Sequence, residues 1–461
     1  MMKLRNVSTI LLACILIVVV ERSPAQDAAN RRASANRTSQ YRLRPADVED
    51  LPSRRAFAAS PNHPAIDYYS DNGDDAIGRL NRKLRDGSVH LEFEGRSGYL
   101  RSVLDALDVP VESQAIVFSK TSLQADRISP KNPRAIYFTD NVVMAFIRGA
   151  PLLEFAVHDP TQGVRFYSLD QREVERPRFE RHNTCLNCHV TRDSMDVAGM
   201  LVRSIVTGPD GRIYPQFGNY VIDHRNPLEE RWGGWYVTGT AGGARHMGNA
   251  MLMNPENPDS LITDDTLSRT TLAGQFFADG YLTPYSDIAA LMVFEHQMHM
   301  IDLLIRMGWD VRVAQYESRE NGAERRLVKD LLSNDAQELV DYMLFVDEAP
   351  LEGAIRPVSG FAEKFSARGP RDKQGRSLRQ LDLQRRLMRY PCSYMIYSAA
   401  FDALPGPAKD AIYRRMWSIL SGKTKDPKYR KLSRVDRDAI VEILRDTKPD
   451  LPSYFVASAL R

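Results

Sequence analysis

Five consecutive residues near the middle of the chain have the types and spacing for cofactor chemistry: Cys185, Leu186, Asn187, Cys188 and His189. Two thiols separated by two residues can form thioether bonds with the two vinyl groups on one edge of a porphyrin. The histidine that follows can then supply an imidazole nitrogen to the iron. The spacing therefore predicts one covalent haem c, attached at Cys185 and Cys188, with His189 as an axial iron ligand.

The same residues are compatible with other chemistry. In an oxidising compartment Cys185 and Cys188 could form a disulfide. A zinc site would need further ligands, for which His182, His189 and Cys392 are available. A thioredoxin-type redox pair is disfavoured, because no βαβ pattern surrounds the two cysteines.

On these five residues the sequence resembles the c-type cytochromes. The resemblance implies covalent haem, redox cycling of its iron and one-electron transfer with a partner protein. The motif occurs once, which implies a single haem. The alternative function is a haem c oxidoreductase, peroxidase-like or converting nitrogen oxides, or a haem-based sensor. The length of 461 residues favours this alternative, since a domain of roughly 100 residues is large enough to hold one haem.

The residue on the other side of the iron would decide between these functions, because a strong second ligand closes the iron to small molecules. The candidates for this position are histidines and methionines elsewhere in the chain: His246, Met247, His296, His299 and Met195. His246 is the first choice, since the glycines of segment 242–249 would let the backbone approach a flat ring. An open position is the remaining alternative.

Four polar residues recur within an apolar segment at spacings that place them on one helical face: Glu295, His299, Asp302 and Arg306. The simplest interpretation is the solvent-exposed face of an amphipathic helix. The alternative is a group that orders a proton path near the iron. In an oxidoreductase, Arg245, His246 and Glu295 would be the candidates for handling protons.

The first 25 residues predict a secretory signal peptide. Lys3 and Arg5 precede an unbroken apolar run at 10–20, and small residues precede a cleavage point after Ala25. The run is shorter than the roughly 20 residues needed to span a bilayer. The sequence therefore predicts export, to the periplasm of a bacterium, with no membrane span in the mature chain.

The segment 26–60 has few large apolar residues and predicts a disordered arm or tether. Removal of the signal peptide lowers the formal net charge from +3 to about +1. A nearly neutral chain lacks the long-range field that attracts nucleic acid, so nucleic-acid binding is disfavoured.

The periodicity of the chain predicts an α+β fold. From 61 to 284, short β-branched and aromatic runs alternate with turn residues, and two hairpins are predicted, at 153–169 and at 200–221. From 285 to 461, apolar residues recur at helical spacing. The predicted helices there are 285–307, 323–332, 336–345, 378–388, 407–420 and 434–445. The haem motif thus lies in a β-rich region followed by an α-rich region, and the small all-α fold of the standard cytochromes c is not expected.

Overall fold

The computed structural model describes residues 59–70, 74–257, 260–262, 268–320 and 325–456. The predicted signal peptide lies outside this part of the chain. The predicted arm does too, except for its last two residues. The β-rich and α-rich regions belong to one compact unit, Phe57–Arg461.

Short strands follow one another through the first half of the structure, as the sequence predicted. In chain order they are β1 (Ala115–Val117), β2 (Arg134–Phe138), β3 (Val142–Ile147), β4 (Leu152–Asp159), β5 (Gly163–Asp170), β6 (Phe179–Arg181), β7 (Arg203–Ile205), β8 (Asn219–Val221), β9 (Trp235–Tyr236), β10 (Met251–Leu252) and β11 (Leu261–Ile262). Seven of them form one antiparallel sheet in the order β6-β5-β4-β3-β2-β1-β9. The predicted α+β fold with a β-rich first half is therefore confirmed.

Both predicted hairpins form. Strands β4 and β5 pair over their full length, with Phe155 opposite Tyr167. Strands β7 and β8 pair more briefly, with Arg203 opposite Val221, and an isolated bridge joins Thr207 to Ile213 nearer the turn.

Each face of the large sheet is covered by other elements. Alternate residues of the strands enter two different cores. The first core includes Ile136, Phe138, Val143, Ala156 and Phe166 together with most of the C-terminal half. The second includes Tyr137, Met144, Phe155 and Leu169 together with residues of the N-terminal helices. Because both faces are buried, the strands have nearly continuous burial instead of an alternation of buried and exposed positions.

Three helices precede or interrupt the β-rich region: α1 (Ala76–Asp86), α2 (Leu100–Ala106) and α3 (Leu186–His189). The helices of the second half are α4 (Ile288–Glu320), α5 (Arg325–Met343), α6 (Phe361–Ala367), α7 (Ala399–Asp402), α8 (Gly406–Leu420), α9 (Arg434–Thr447) and α10 (Ser453–Val456). The predicted helices at 407–420 and 434–445 are confirmed as α8 and α9. The two helices predicted at 323–332 and 336–345 are one continuous helix, α5. The short helix α6 was not predicted.

The helix predicted at 378–388 is wrong. Asp382 accepts the backbone N–H groups of Gln384 and Arg385 at 3.0 and 2.8 Å, which satisfies them in a turn. Leu383 has a left-handed backbone with φ of 58°. The segment is therefore a turn closed by a bridge between Leu381 and Met388, in which apolar residues are buried without helical hydrogen bonds.

The long helix α4 is the centre of the C-terminal half. It has 33 residues and is long and apolar enough to cross a membrane, but 94% of its most apolar stretch is buried inside the protein. A helix surrounded on all sides by the core has this composition without a membrane. Asp287 precedes it and accepts the N–H of Ala289 at 2.8 Å.

Asp287 also joins two distant parts of the chain, because its second oxygen accepts the N–H groups of Val358 and Ser359, each at 2.8 Å.

We expect Asp287→Ala to lower the free energy of unfolding by about 3 kcal/mol, since three N–H groups lose a buried acceptor. Ser433→Ala is the control: Ser433 is an exposed cap of α9 whose hydroxyl group makes hydrogen bonds with Asp436. We expect Ser433→Ala to lower the free energy of unfolding, measured with urea, by only about 1 kcal/mol. Equal decreases in the free energy of unfolding of the two variants would contradict this role of Asp287.

Candidate functional site

The C-x-x-C-H segment forms a single helical turn on the sheet. Cys185 ends a short 3-10 turn, Asn183–Cys185, and the chain continues directly into α3. Spacings of three and four residues place Cys188 and His189 on the same side of this turn as Cys185. Both cysteines are free thiols, with Cys188 exposed and Cys185 half-buried. The two sulfurs are therefore not joined to each other.

The His189 ring is held in one orientation. Its Nδ1 lies 3.0 Å from the carbonyl oxygen of Gly199, and its ring packs on Phe166 with centroids 4.5 Å apart. A carbonyl only accepts, so the proton is on Nδ1 and the lone pair is on Nε2. Burial lowers the pKa of His189, which favours the neutral ring. Nε2 makes no hydrogen bond within the part of the chain that the structure describes. This is the tautomer that a metal requires at Nε2.

The loop after the motif is attached to α4. The N–H of Met200 donates to Asp302 Oδ1 at 2.9 Å. Four residues further along the helix, Arg306 Nη1 donates to Met195 Sδ at 3.2 Å. The sulfur of Met195, a candidate iron ligand in the sequence, is thus already in contact with a guanidinium group.

The polar face of α4 is not exposed to solvent. Glu295, Asp302 and Arg306 are 0%, 1% and 7% exposed, and His299 is half-buried. The interpretation as a solvent-exposed helix face is therefore wrong. The four residues do share one face, but this face meets other polar groups of the protein.

At the N-terminal end of this face, Glu295 forms a buried ion pair. Arg231 donates to one of its carboxylate oxygens, and Trp232 Nε1 donates to the other at 3.0 Å. Arg231 is held in turn by the carbonyl oxygen of Asn226, 2.8 Å from its Nε. Burial raises the pKa of Glu295 to about 7, against the opposing effect of the Arg231 charge.

His296 lies in a second buried group. Its Nδ1 is 2.8 Å from Nδ1 of His224, and its Nε2 is 2.8 Å from Ser393 Oγ. Burial lowers the pKa of His296 to about 3, so the ring is neutral. Both of its nitrogens are engaged, and an iron bond would break one of these contacts.

His299 is engaged as well. Its Nε2 lies 3.0 Å from Arg225 Nη2, and its Nδ1 faces Asp223 Oδ2 at 3.8 Å. A guanidinium only donates, so the lone pair of His299 Nε2 is already used. Burial lowers the pKa of His299 to about 4, which favours the neutral ring.

His246 has the opposite tautomer from His189. Its Nδ1 accepts the N–H of Gly248 at 3.0 Å, which places the proton on Nε2. Nε2 is buried and has no hydrogen-bond partner among the residues that the structure describes, and the ring meets the edge of Trp232 with centroids 5.3 Å apart. Iron binding at Nε2 would require loss of this proton or a reversal of the contact with Gly248.

The other candidates lie beside this ring. Met247 is half-buried, and its backbone N–H donates to the carbonyl oxygen of Arg231 at 2.9 Å. The side chain of Arg245 is exposed. The backbone of Met247 and the ring of His246 therefore contact the Arg231–Trp232 side of the buried network.

The possible zinc ligands are not brought together. His182 Nε2 contacts Ser168 Oγ at 2.7 Å, and Cys392 is fully buried. Among the described residues, no group of three or more His, Cys, Asp or Glu side chains is arranged to hold a metal ion. This arrangement does not support the zinc alternative.

Several residues of these groups carried no sequence signal. Gly199, His224, Arg231 and Ser393 lie outside the helical face that the periodicity identified. Arg231 and Trp232 meet Glu295 across more than 60 positions of the chain. Only the three-dimensional fold brings them together.

No family model, no curated protein and no solved structure matches the chain.

The burial of His246 predicts that the stability of the folded protein depends on pH. Burial lowers its pKa to about 4, whereas the unfolded chain has the ordinary value of 6.5. Unfolding therefore takes up a proton between these values, and the stability that neutral His246 contributes is lost as the pH falls from 6.5 to 4.

We expect His246→Asn, whose amide oxygen can still accept the N–H of Gly248, to remove this dependence. The stability of the wild type relative to the variant should fall by about 3 kcal/mol between pH 7 and pH 4. Urea unfolding at a series of pH values measures this difference. Parallel pH profiles for the two proteins would show that His246 is not buried in its neutral form.

Proposed function

We propose that this chain holds one haem c through thioether bonds at Cys185 and Cys188, with His189 as an axial ligand, and that it transfers single electrons. The observation that carries the proposal is the contact between His189 Nδ1 and the carbonyl oxygen of Gly199. It leaves a lone pair on Nε2, which makes no hydrogen bond within the described ranges of the chain. When bound, haem iron supplies reversible one-electron chemistry.

The state of the two cysteines supports this proposal. Covalent attachment needs two thiols that are reduced and accessible. Cys185 and Cys188 are both free, and Cys188 is exposed. The flanking residues Asn187 and Thr184 are also exposed, so a planar ring can approach the turn from solvent.

We place this function in the bacterial periplasm, because the first 25 residues have the pattern of a secretory signal and haem c is attached outside the cytoplasm. The partner that exchanges electrons with the chain is a redox protein. The near-neutral charge of the mature chain gives no reason to expect nucleic acid as a partner.

A specific observation favours a second function, that of a haem c oxidoreductase or a haem-based sensor with an open iron position. The donor atoms of His296, His299 and Met195 are already engaged, and His246 has the wrong tautomer for ligation through Nε2. An iron with an open position binds small molecules. Ready binding of carbon monoxide to the reduced protein would support this second function, and its absence would support a closed electron carrier.

Haem attachment itself is tested with cysteine variants exported from a bacterial host that attaches haem c. We expect the wild type to give the pyridine haemochrome spectrum of a haem with two thioether bonds. Cys185→Ala and Cys188→Ala should each shift this spectrum towards that of a haem with one unreacted vinyl group. The double variant should lose covalent haem completely, because no thiol of the motif remains.

Cys392→Ala is the matched control. Cys392 is fully buried in the core, away from solvent, so its removal should leave the spectrum unchanged. Absence of haem from the wild type, or covalent haem in the double variant, would overturn the proposed function.

A further inference from the structure

One peptide group lies between His189 and helix α4. Its carbonyl oxygen, from Gly199, is 3.0 Å from His189 Nδ1, and its N–H, from Met200, donates to Asp302 Oδ1 at 2.9 Å. The peptide is planar, so the direction of its N–H fixes the direction of its carbonyl. Asp302 therefore contacts the same rigid unit that holds the imidazole.

The approach of Asp302 to this peptide requires glycine at position 199. A Cβ atom added to Gly199 would lie 2.3 Å from Asp302 Oδ1 and 2.7 Å from its Cγ. Both distances are far inside van der Waals contact. Asp302 belongs to the buried helix α4 and cannot move away as a flexible surface side chain would.

The hydrogen bonding of Asp302 is unusual for a buried acid. The side chain is 1% exposed, and its Oδ2 has no hydrogen-bond partner among the described residues. A buried polar atom without a partner lowers stability by about 1–3 kcal/mol. The hydrogen bond that the carboxyl group does make goes to the N–H of Met200.

We propose that Asp302 is a positioning residue for His189, acting through the peptide between Gly199 and Met200. This inference rests on the proposed function, because its consequence concerns an iron bound to His189. The hydrogen bond at Nδ1 fixes the ring and increases its donation to a metal. Loss of the Asp302 contact frees the peptide, weakens the hydrogen bond at His189 and favours the reduced iron.

The role of Asp302 depends on its acceptor oxygen. Burial raises the pKa of its carboxyl group well above the usual range. Both the carboxylate and the neutral acid keep an oxygen that accepts the N–H of Met200. An amide does so too, so Asn at this position should preserve the contact, whereas Ala should abolish it.

The first test needs no haem. Hydrogen exchange at the Met200 amide, followed by NMR, should be at least about tenfold faster in Asp302→Ala than in the wild type, the factor for about 1.4 kcal/mol of a lost hydrogen bond. In Asp302→Asn it should stay near the wild-type rate. Val311→Ala, at a buried position of the same helix, is the control for a general loss of stability. Val311→Ala should not accelerate hydrogen exchange at the Met200 amide more than it accelerates exchange at the amides of the neighbouring sheet.

The second test uses the haem-loaded protein. Changes to the partners of a metal ligand typically alter metal affinity tenfold or more, and weaker donation from the imidazole lowers the affinity for oxidised iron more than that for reduced iron. We expect Asp302→Ala to shift the equilibrium towards reduced iron by about tenfold, a rise of about 59 mV in the one-electron reduction potential. Asp302→Asn and Val311→Ala should keep the wild-type potential.

The two proposals fail in different ways. If the wild type carries no covalent haem, the proposed function is wrong, and the exchange rate of Met200 still tests the contact with Asp302. If haem is present and Asp302→Ala has the wild-type potential, Asp302 does not position His189. The same conclusion follows if Asp302→Asn shifts the potential as much as Asp302→Ala.

Discussion

The chemistry open to this protein depends on a hydrogen bond between His189 Nδ1 and the carbonyl oxygen of Gly199. The bond selects one tautomer and leaves Nε2 as the only lone pair of the ring. It also closes the loop after the motif, since the N–H of Gly199 donates back to the carbonyl oxygen of His189 at 3.0 Å. The two cysteines precede this fixed histidine on the same turn, so the motif has a defined geometry before any cofactor is attached.

The surroundings of the motif explain how such a small turn is held in place. Helix α4 carries polar side chains through the core, where burial of an unpaired charge is costly. Arg231 and Trp232 meet Glu295 at one end of its polar face, and Asp302 and Arg306 hold the loop after the motif at the other. Only the Glu295–Arg231 contact is an ion pair; the contacts of Asp302 and Arg306 connect the loop after the motif to the helix.

The features predicted correctly from the sequence were local ones. The hairpin of β4 and β5 followed from β-branched runs around a turn, and helices α8 and α9 followed from apolar spacing. The same spacing failed at 378–388, because Asp382 satisfies the backbone in a turn. Periodicity also showed that Glu295 and Asp302 share a face, but not that the face is buried, since their partners come from distant segments. Nothing in the sequence marked Gly199, whose importance lies in its distance from Asp302.

The most direct test of the account is mass spectrometry of the mature protein exported from a haem-attaching bacterium. Cleavage after Arg181 and Arg192 releases one peptide, 182–192, that contains the whole motif. We predict that this peptide carries the mass of one haem, bound through both cysteines. A peptide in which Cys185 and Cys188 are joined as a disulfide, or remain free thiols, would contradict the central claim.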